Sequence, residues 1–110
     1  MREKNVLNEL YDVVMARKAE PQEGSYTSYL FEAGLDKILK KIGEESAETV
    51  IAAKNGDREP LIGEISDLIY HLTVMMAQCG VTYEEIFAEL SERSKKIGNL
   101  KKFRSTDRNT

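Results

Sequence analysis

Apolar residues recur at three- and four-residue steps along almost the whole chain, and period-two alternation is scarce. That spacing lines side chains up on one stripe of an α-helix and scatters them over both faces of a strand. Proline, which would interrupt such stripes, occurs only as Pro21 and Pro60, both at expected helix boundaries. The pattern predicts a first helix from about Glu3 to Ala19 with Val6, Leu7, Leu10, Val14 and Met15 facing inward, broken by Pro21 and Gly24. A hydroxyl-rich loop, Gly24-Ser25-Tyr26-Thr27-Ser28, then leads to a short helical turn over 29–33. That turn stops at Gly34, a residue suited to the left-handed conformation just past a helix end.

The second long helix is expected from Leu35 to about Lys54. Asp36 lies beside the positive end of its dipole, and Asn55-Gly56 ends it. Asp57 is the expected N-cap of a third long helix. Pro60 falls in that helix's first turn, where its missing N–H does no harm, and Gly80 closes the helix after about Gln78. Thr82-Tyr83-Glu84-Glu85 reads as a capping box opening a last helix that turns Ile86, Phe87 and Leu90 inward. Short connections between long helices imply antiparallel neighbours. The expected fold is all-α, an antiparallel bundle of four to five helices, with a domain over 1–97 and a basic tail over 98–110.

The third long helix is apolar over most of its surface, through Leu61, Ile62, Ile65, Leu68, Ile69, Leu72, Val74, Met75 and Met76. Such a helix must be buried, and three neighbours in a 110-residue bundle supply little cover. A homodimer is therefore expected, with Leu68, Leu72, Met75 and Met76 at or near the interface. The single Cys79 excludes an internal disulfide and suits a reducing cytosol. No apolar run reaches membrane-spanning length, and residues 1–11 lack the apolar core of a signal peptide, so a cytoplasmic protein is expected. Seven basic residues and one acid fall in 93–110, against nine basic residues and eighteen acids in 1–92. The acidic body argues against a nucleic-acid partner.

Two helices carry acids in an unusual arrangement. Glu44, Glu45 and Glu48 share about a third of the second long helix's circumference, opposite Leu35, Ile38, Leu39, Ile42 and Ala53. Glu64, Asp67 and His71 form a narrow stripe on the otherwise apolar third. Desolvated, unpaired carboxylates are costly, and neither Glu64 nor Asp67 has a Lys or Arg one turn away. Glu48 adds repulsion with Glu44 and Glu45. One reading is a solvated acidic face, with Lys40 and Lys41 one turn before. The other is a divalent cation shared between the helices. Oxygen-only donors select Mg²⁺, with Mn²⁺ as a substitute, over zinc or copper. His71 reads as a hydrogen-bonded helix histidine beside Asp67 or as support behind such a metal.

Lys41-Ile42-Gly43-Glu44-Glu45-Ser46-Ala47-Glu48, followed by Glu64-Ile65-Ser66-Asp67, resembles the EExxE…ExxD pattern of the all-α nucleoside triphosphate pyrophosphohydrolase superfamily. Gly24 to Ser28, Gly34 to Lys41, Val50 to Asn55 and Asp67 to Leu72 narrow the resemblance to the phosphoribosyl-ATP pyrophosphohydrolase family, over about residues 5–95. Ser46 and Ser66 stand where that pattern leads one to expect alanines. The resemblance implies hydrolysis of phosphoribosyl-ATP to phosphoribosyl-AMP and pyrophosphate, the second step of histidine biosynthesis. It also implies a helical dimer and Mg²⁺ held by Glu44, Glu45, Glu48, Glu64 and Asp67. On that reading Glu45 is the expected general base and Lys37, Lys41 and Lys54 are candidate phosphate contacts. Ser25, Tyr26, Thr27 and Ser28 either bind phosphate or ribose or simply cap a helix. A cyclohydrolase is a candidate partner. The alternatives are a house-cleaning pyrophosphatase of noncanonical nucleoside triphosphates and a helical dimerisation module with a decayed site.

Overall fold

A computed structural model describes residue 2 and residues 4–96; the basic segment 98–110 lies outside them. Five helices follow one another: α1 (Val6–Ala19), α2 (Tyr26–Ala33), α3 (Leu35–Asn55), α4 (Arg58–Cys79) and α5 (Tyr83–Ser94). Asn5 caps α1 by accepting the N–H of Asn8 at 2.9 Å, so the helix opens at Val6, later than the spacing alone suggested. The first turn of α2 takes up most of the expected hydroxyl-rich loop. Ser25 Oγ accepts the Ser28 N–H, and Ser28 Oγ accepts the Gln22 N–H, which starts the helix three residues earlier than expected. Gly34, at φ 99°, ends α2 and begins α3 in one residue, a backbone conformation that a side chain would strain. Gly56 and Gly80 close α3 and α4 in the left-handed region. Asp57 stands at the N-cap position of α4 with no hydrogen bond from its side chain, whereas the Thr82–Glu85 capping box of α5 is complete.

Val14, Leu30, Ile38, Val74 and Ala77 form the buried core, where α1, α2, the start of α3 and the end of α4 meet. Lys18 Nζ donates to the Ala77 carbonyl at 3.1 Å and satisfies one of the acceptors left over at the end of α4. The most extensive helix pair is α3 with α4.

Two inward faces differ from expectation. On α3 the inward stripe runs through Ile38, Ile42, Glu45, Thr49 and Ala52, with Lys37, Lys41 and Ser46 half-buried beside it, while Leu35, Leu39 and Ala53 turn to solvent. The cause is the position of α4, whose contact line runs between the acids and the apolar residues, so that Glu45 shares a stripe with Ile38 and Ile42. α3 packs along α4, and α1 and α2 add cover only to its second half. In the first half the side turned away from α3 stays open, with Ile62 53% and Ile65 41% exposed. Val6, Met15, Ile86 and Leu90 are likewise exposed. Between α1, α4 and α5 an apolar groove of about 310 Å³ is lined by residues that include Leu7, Leu72, Met75, Met76 and Phe87.

Candidate metal centre between α3 and α4

Facing each other across the α3–α4 contact, Glu45, Glu48 and Glu64 bring one carboxylate oxygen each to within 4.8 Å of one another. Glu45 is 7% exposed, a consequence of its place on the inward stripe. Glu64 is half-buried and Glu48 exposed. The carboxyl of Glu48 lies close enough to both others to share a proton with either. That contact, followed by partial burial and the charges of Glu48, Glu45 and Asp67, pushes the Glu64 carboxyl up to about 7. Burial first, then Glu48 and Asp67, also raises Glu45, with Lys41 opposing. Glu45 Oε2 and Glu64 Oε2 are buried without a hydrogen-bond partner.

These are the features that a cation would relieve. Ligand oxygens of a single cation lie no further apart than twice the metal–oxygen distance, about 4 Å for Mg²⁺ and about 5 Å for larger ions, which matches the spacing here. The donors are all oxygen, two of the carboxylates carry a buried oxygen without a partner, and no ion pair to Lys or Arg neutralises the three acids among the described residues. The residues present fit a hard divalent ion.

The other expected site residues are placed unequally. Asp67 lies outside the triad but close enough for its charge to bear on Glu45 and Glu64. Glu44 is exposed and pairs with Lys41 at 3.4 Å. Lys41 is half-buried and lies within electrostatic reach of Glu45 and Tyr26. Lys37, one turn earlier, is half-buried with no ion pair among the described residues. Lys54 is exposed in the last turn of α3, about 13 Å along the axis from Glu45. Ser25 and Ser28 each use an acceptor position on the start of α2.

Tyr26 and Thr27 reach across to α4. The Tyr26 hydroxyl meets His71 Nε2 at 3.0 Å, and His71 Nδ1 meets the Asp67 carbonyl at 2.8 Å. A carbonyl only accepts, so Nδ1 carries the ring proton and the neutral ring's Nε2 accepts from Tyr26. Thr27 Oγ1 and the Tyr70 hydroxyl are hydrogen-bonded. A tie from α2 through His71 thus fixes the turn of α4 that carries Asp67. Tyr70 was not singled out from sequence. The available signal was its position three residues after Asp67 on the same helix, concealed because Tyr26 and Thr27 were placed in a loop.

The family model described as phosphoribosyl-ATP pyrophosphohydrolase matches residues 7–94. A phosphoribosyl-ATP pyrophosphatase of Clostridium botulinum (strain Hall) is 52% identical over 106 residues, 96% of each chain. One from Pelotomaculum thermopropionicum is 53% identical over 96 residues, 87% of this chain and 98% of that one. The histidine biosynthesis bifunctional protein HisIE of Thermoanaerobacter pseudethanolicus is 58% identical over 84 residues, 76% of this chain and 39% of that longer one.

Proposed function

The chain belongs to the phosphoribosyl-ATP pyrophosphohydrolase family, and we propose that it hydrolyses phosphoribosyl-ATP to phosphoribosyl-AMP and pyrophosphate, the second step of histidine biosynthesis. The observation that carries this is the 52% identity with a phosphoribosyl-ATP pyrophosphatase along 96% of both chains. The carboxylate triad, with its two partnerless buried oxygens, supplies the chemistry such a reaction needs.

Release of pyrophosphate with a nucleoside monophosphate product requires the bond between the α- and β-phosphates to break. Glu45, Glu48 and Glu64 would hold a divalent cation, Mg²⁺ or Mn²⁺ in its place, with Asp67 alongside. When bound, that ion would supply charge neutralisation at the phosphate oxygens. Glu44 would join the set by giving up its ion pair with Lys41, which frees that ammonium for the triphosphate. Lys37, on the same side of α3, would flank it, and Lys54, Ser25 and Ser28 stand at the margins. Glu45 is our choice of general base. Its inner oxygen has no partner, and burial raises its proton affinity, which favours its taking a proton from water. His71 and Tyr26 hold the Asp67 turn in place, and Thr27 secures Tyr70.

Two copies would cover the open first half of α4 and the apolar groove. Among the described residues no helix is long and apolar enough to cross a membrane, and a cytoplasmic location suits a histidine-biosynthetic step. The bifunctional relative is much longer than this chain, which supports a partner acting on the product, a cyclohydrolase. The test is a product assay with phosphoribosyl-ATP beside a panel of nucleoside triphosphates, with Mg²⁺ and with chelator. Metal-dependent pyrophosphate release from phosphoribosyl-ATP is expected. Turnover confined to a modified deoxynucleoside triphosphate would instead establish a house-cleaning enzyme.

A further inference from the structure

Resting on that reaction, we propose that the face of Tyr29 binds the substrate's purine by stacking, as the outer end of a row of three tyrosines beside the carboxylates. Tyr29 and Tyr26 have ring centroids 6.1 Å apart and planes 29° from parallel. Tyr26 and Tyr70 repeat this at 6.2 Å and 29°. The inner end of the row is fixed. Tyr70 is hydrogen-bonded to Thr27 and meets the His71 ring edge-on at 4.9 Å, while the Tyr26 hydroxyl is committed to His71. Both hydroxyls are therefore occupied within the fold, and ring surface is what these two residues have left to offer.

The outer end is free. Tyr29 is 48% exposed and Tyr26 45%. Among the described residues Tyr29 touches no ring but Tyr26, and its hydroxyl has no hydrogen-bond partner. Flat apolar surface is thus held open on a rigid base, which is what an aromatic ligand needs from a stacking platform. Its place in the molecule matches the substrate. Tyr26 lies within electrostatic reach of Glu45 and Lys41, so the row begins where the triphosphate would lie, and the base is joined to that triphosphate through a single ribose. A base stacked on one aromatic side chain gains roughly 5- to 150-fold in affinity.

Steady-state kinetics with phosphoribosyl-ATP on the wild type, Tyr29→Ala and Tyr29→Phe tests this, with ATP and inorganic tripolyphosphate as competing inhibitors. Tyr29→Ala is expected to raise KM about tenfold with kcat within twofold, and to weaken inhibition by ATP in proportion. Inhibition by tripolyphosphate, which has no base, should stay unchanged. Tyr29→Phe keeps the ring and should match the wild type within twofold. An unchanged KM in Tyr29→Ala, with the wild type active, overturns the stacking site and leaves the reaction standing. Equal weakening of ATP and tripolyphosphate also overturns it, since the damage would then lie at the phosphates. A wild type inactive on phosphoribosyl-ATP overturns the reaction, and this inference with it.

Discussion

Glu48 is the exposed member of the triad and the one in contact with both others, so it separates a ligand role from a structural one. If the acids are gathered for metal, their repulsion strains the metal-free protein, and Glu48→Gln should melt at the same temperature or higher in EDTA. At about a hundred times its dissociation constant a bound ion stabilises the native state by about 2.7 kcal/mol. Wild type should therefore gain several degrees with Mg²⁺ and the variant much less; equal gains would make Glu48 structural. Glu64 gives a pH signature. Its folded carboxyl is raised from 4.5 to about 7, so the native metal-free protein keeps a proton that the unfolded chain releases. That contribution to stability is fully present below about 4.5 and is lost as pH rises through about 7. In chelator the melting temperature should fall between pH 5 and 8, and Glu64→Gln should flatten the slope. With Mg²⁺ the metal-induced gain should grow over the same range, because the ion needs the carboxylates deprotonated. A slope shared by wild type and Glu64→Gln would remove Glu64 from the account. The acids themselves were legible as residues, because Glu64 and Asp67 have no Lys or Arg one turn away on an otherwise apolar helix. Their unequal burial was not. That Glu45 is buried while Glu44 faces water depends on where α4 lies, which nothing within α3 encodes.

Helix ends were legible where the signal is local. Gly34, Gly56, Gly80 and the Thr82–Glu85 box each settle a boundary through their own backbone or side chain. The start of α2 was obscured because Ser25 to Ser28 has the composition of a loop, and Ser and Thr suit caps and loops alike. Two N-caps, Ser25 and Asp57, predict a measurable asymmetry. Ser25→Ala, which removes the acceptor for the Ser28 N–H, should cost about 1 kcal/mol. Asp57→Ala, at an N-cap whose side chain accepts nothing, should cost less than half of that in urea unfolding. Comparable losses would show that Asp57 caps α4 in solution. Inward faces failed for the same reason as Glu45. Periodicity locates a stripe within a helix, and the neighbouring helix decides which edge of the stripe is covered. Ile38 and Ile42 are covered because stripe and neighbouring helix coincide there.

Over the whole molecule, the open first half of α4 and the α1–α4–α5 groove leave large apolar side chains uncovered, the kind of surface that marks an interaction site. Sedimentation should find a species of about twice the 12.5 kDa chain at micromolar concentration. Ile65→Lys, which places a charge on that exposed surface, should return it to the single-chain mass, and a monomeric wild type would refute the association. The apolar excess of α4 was plain from its sequence, but which half of it remains open was not, since that depends on how far α1 and α2 reach. The same two long helices divide their labour along their length. Ile38 at the start of α3 packs with Val74 and Ala77 at the end of α4, while Glu45, Glu48 and Glu64 occupy the stretch beyond. The hydrophobic anchor and the chemistry therefore rarely compete for the same position. A lineage could alter the charged stretch one substitution at a time, towards another phosphorylated substrate, and each intermediate would still fold.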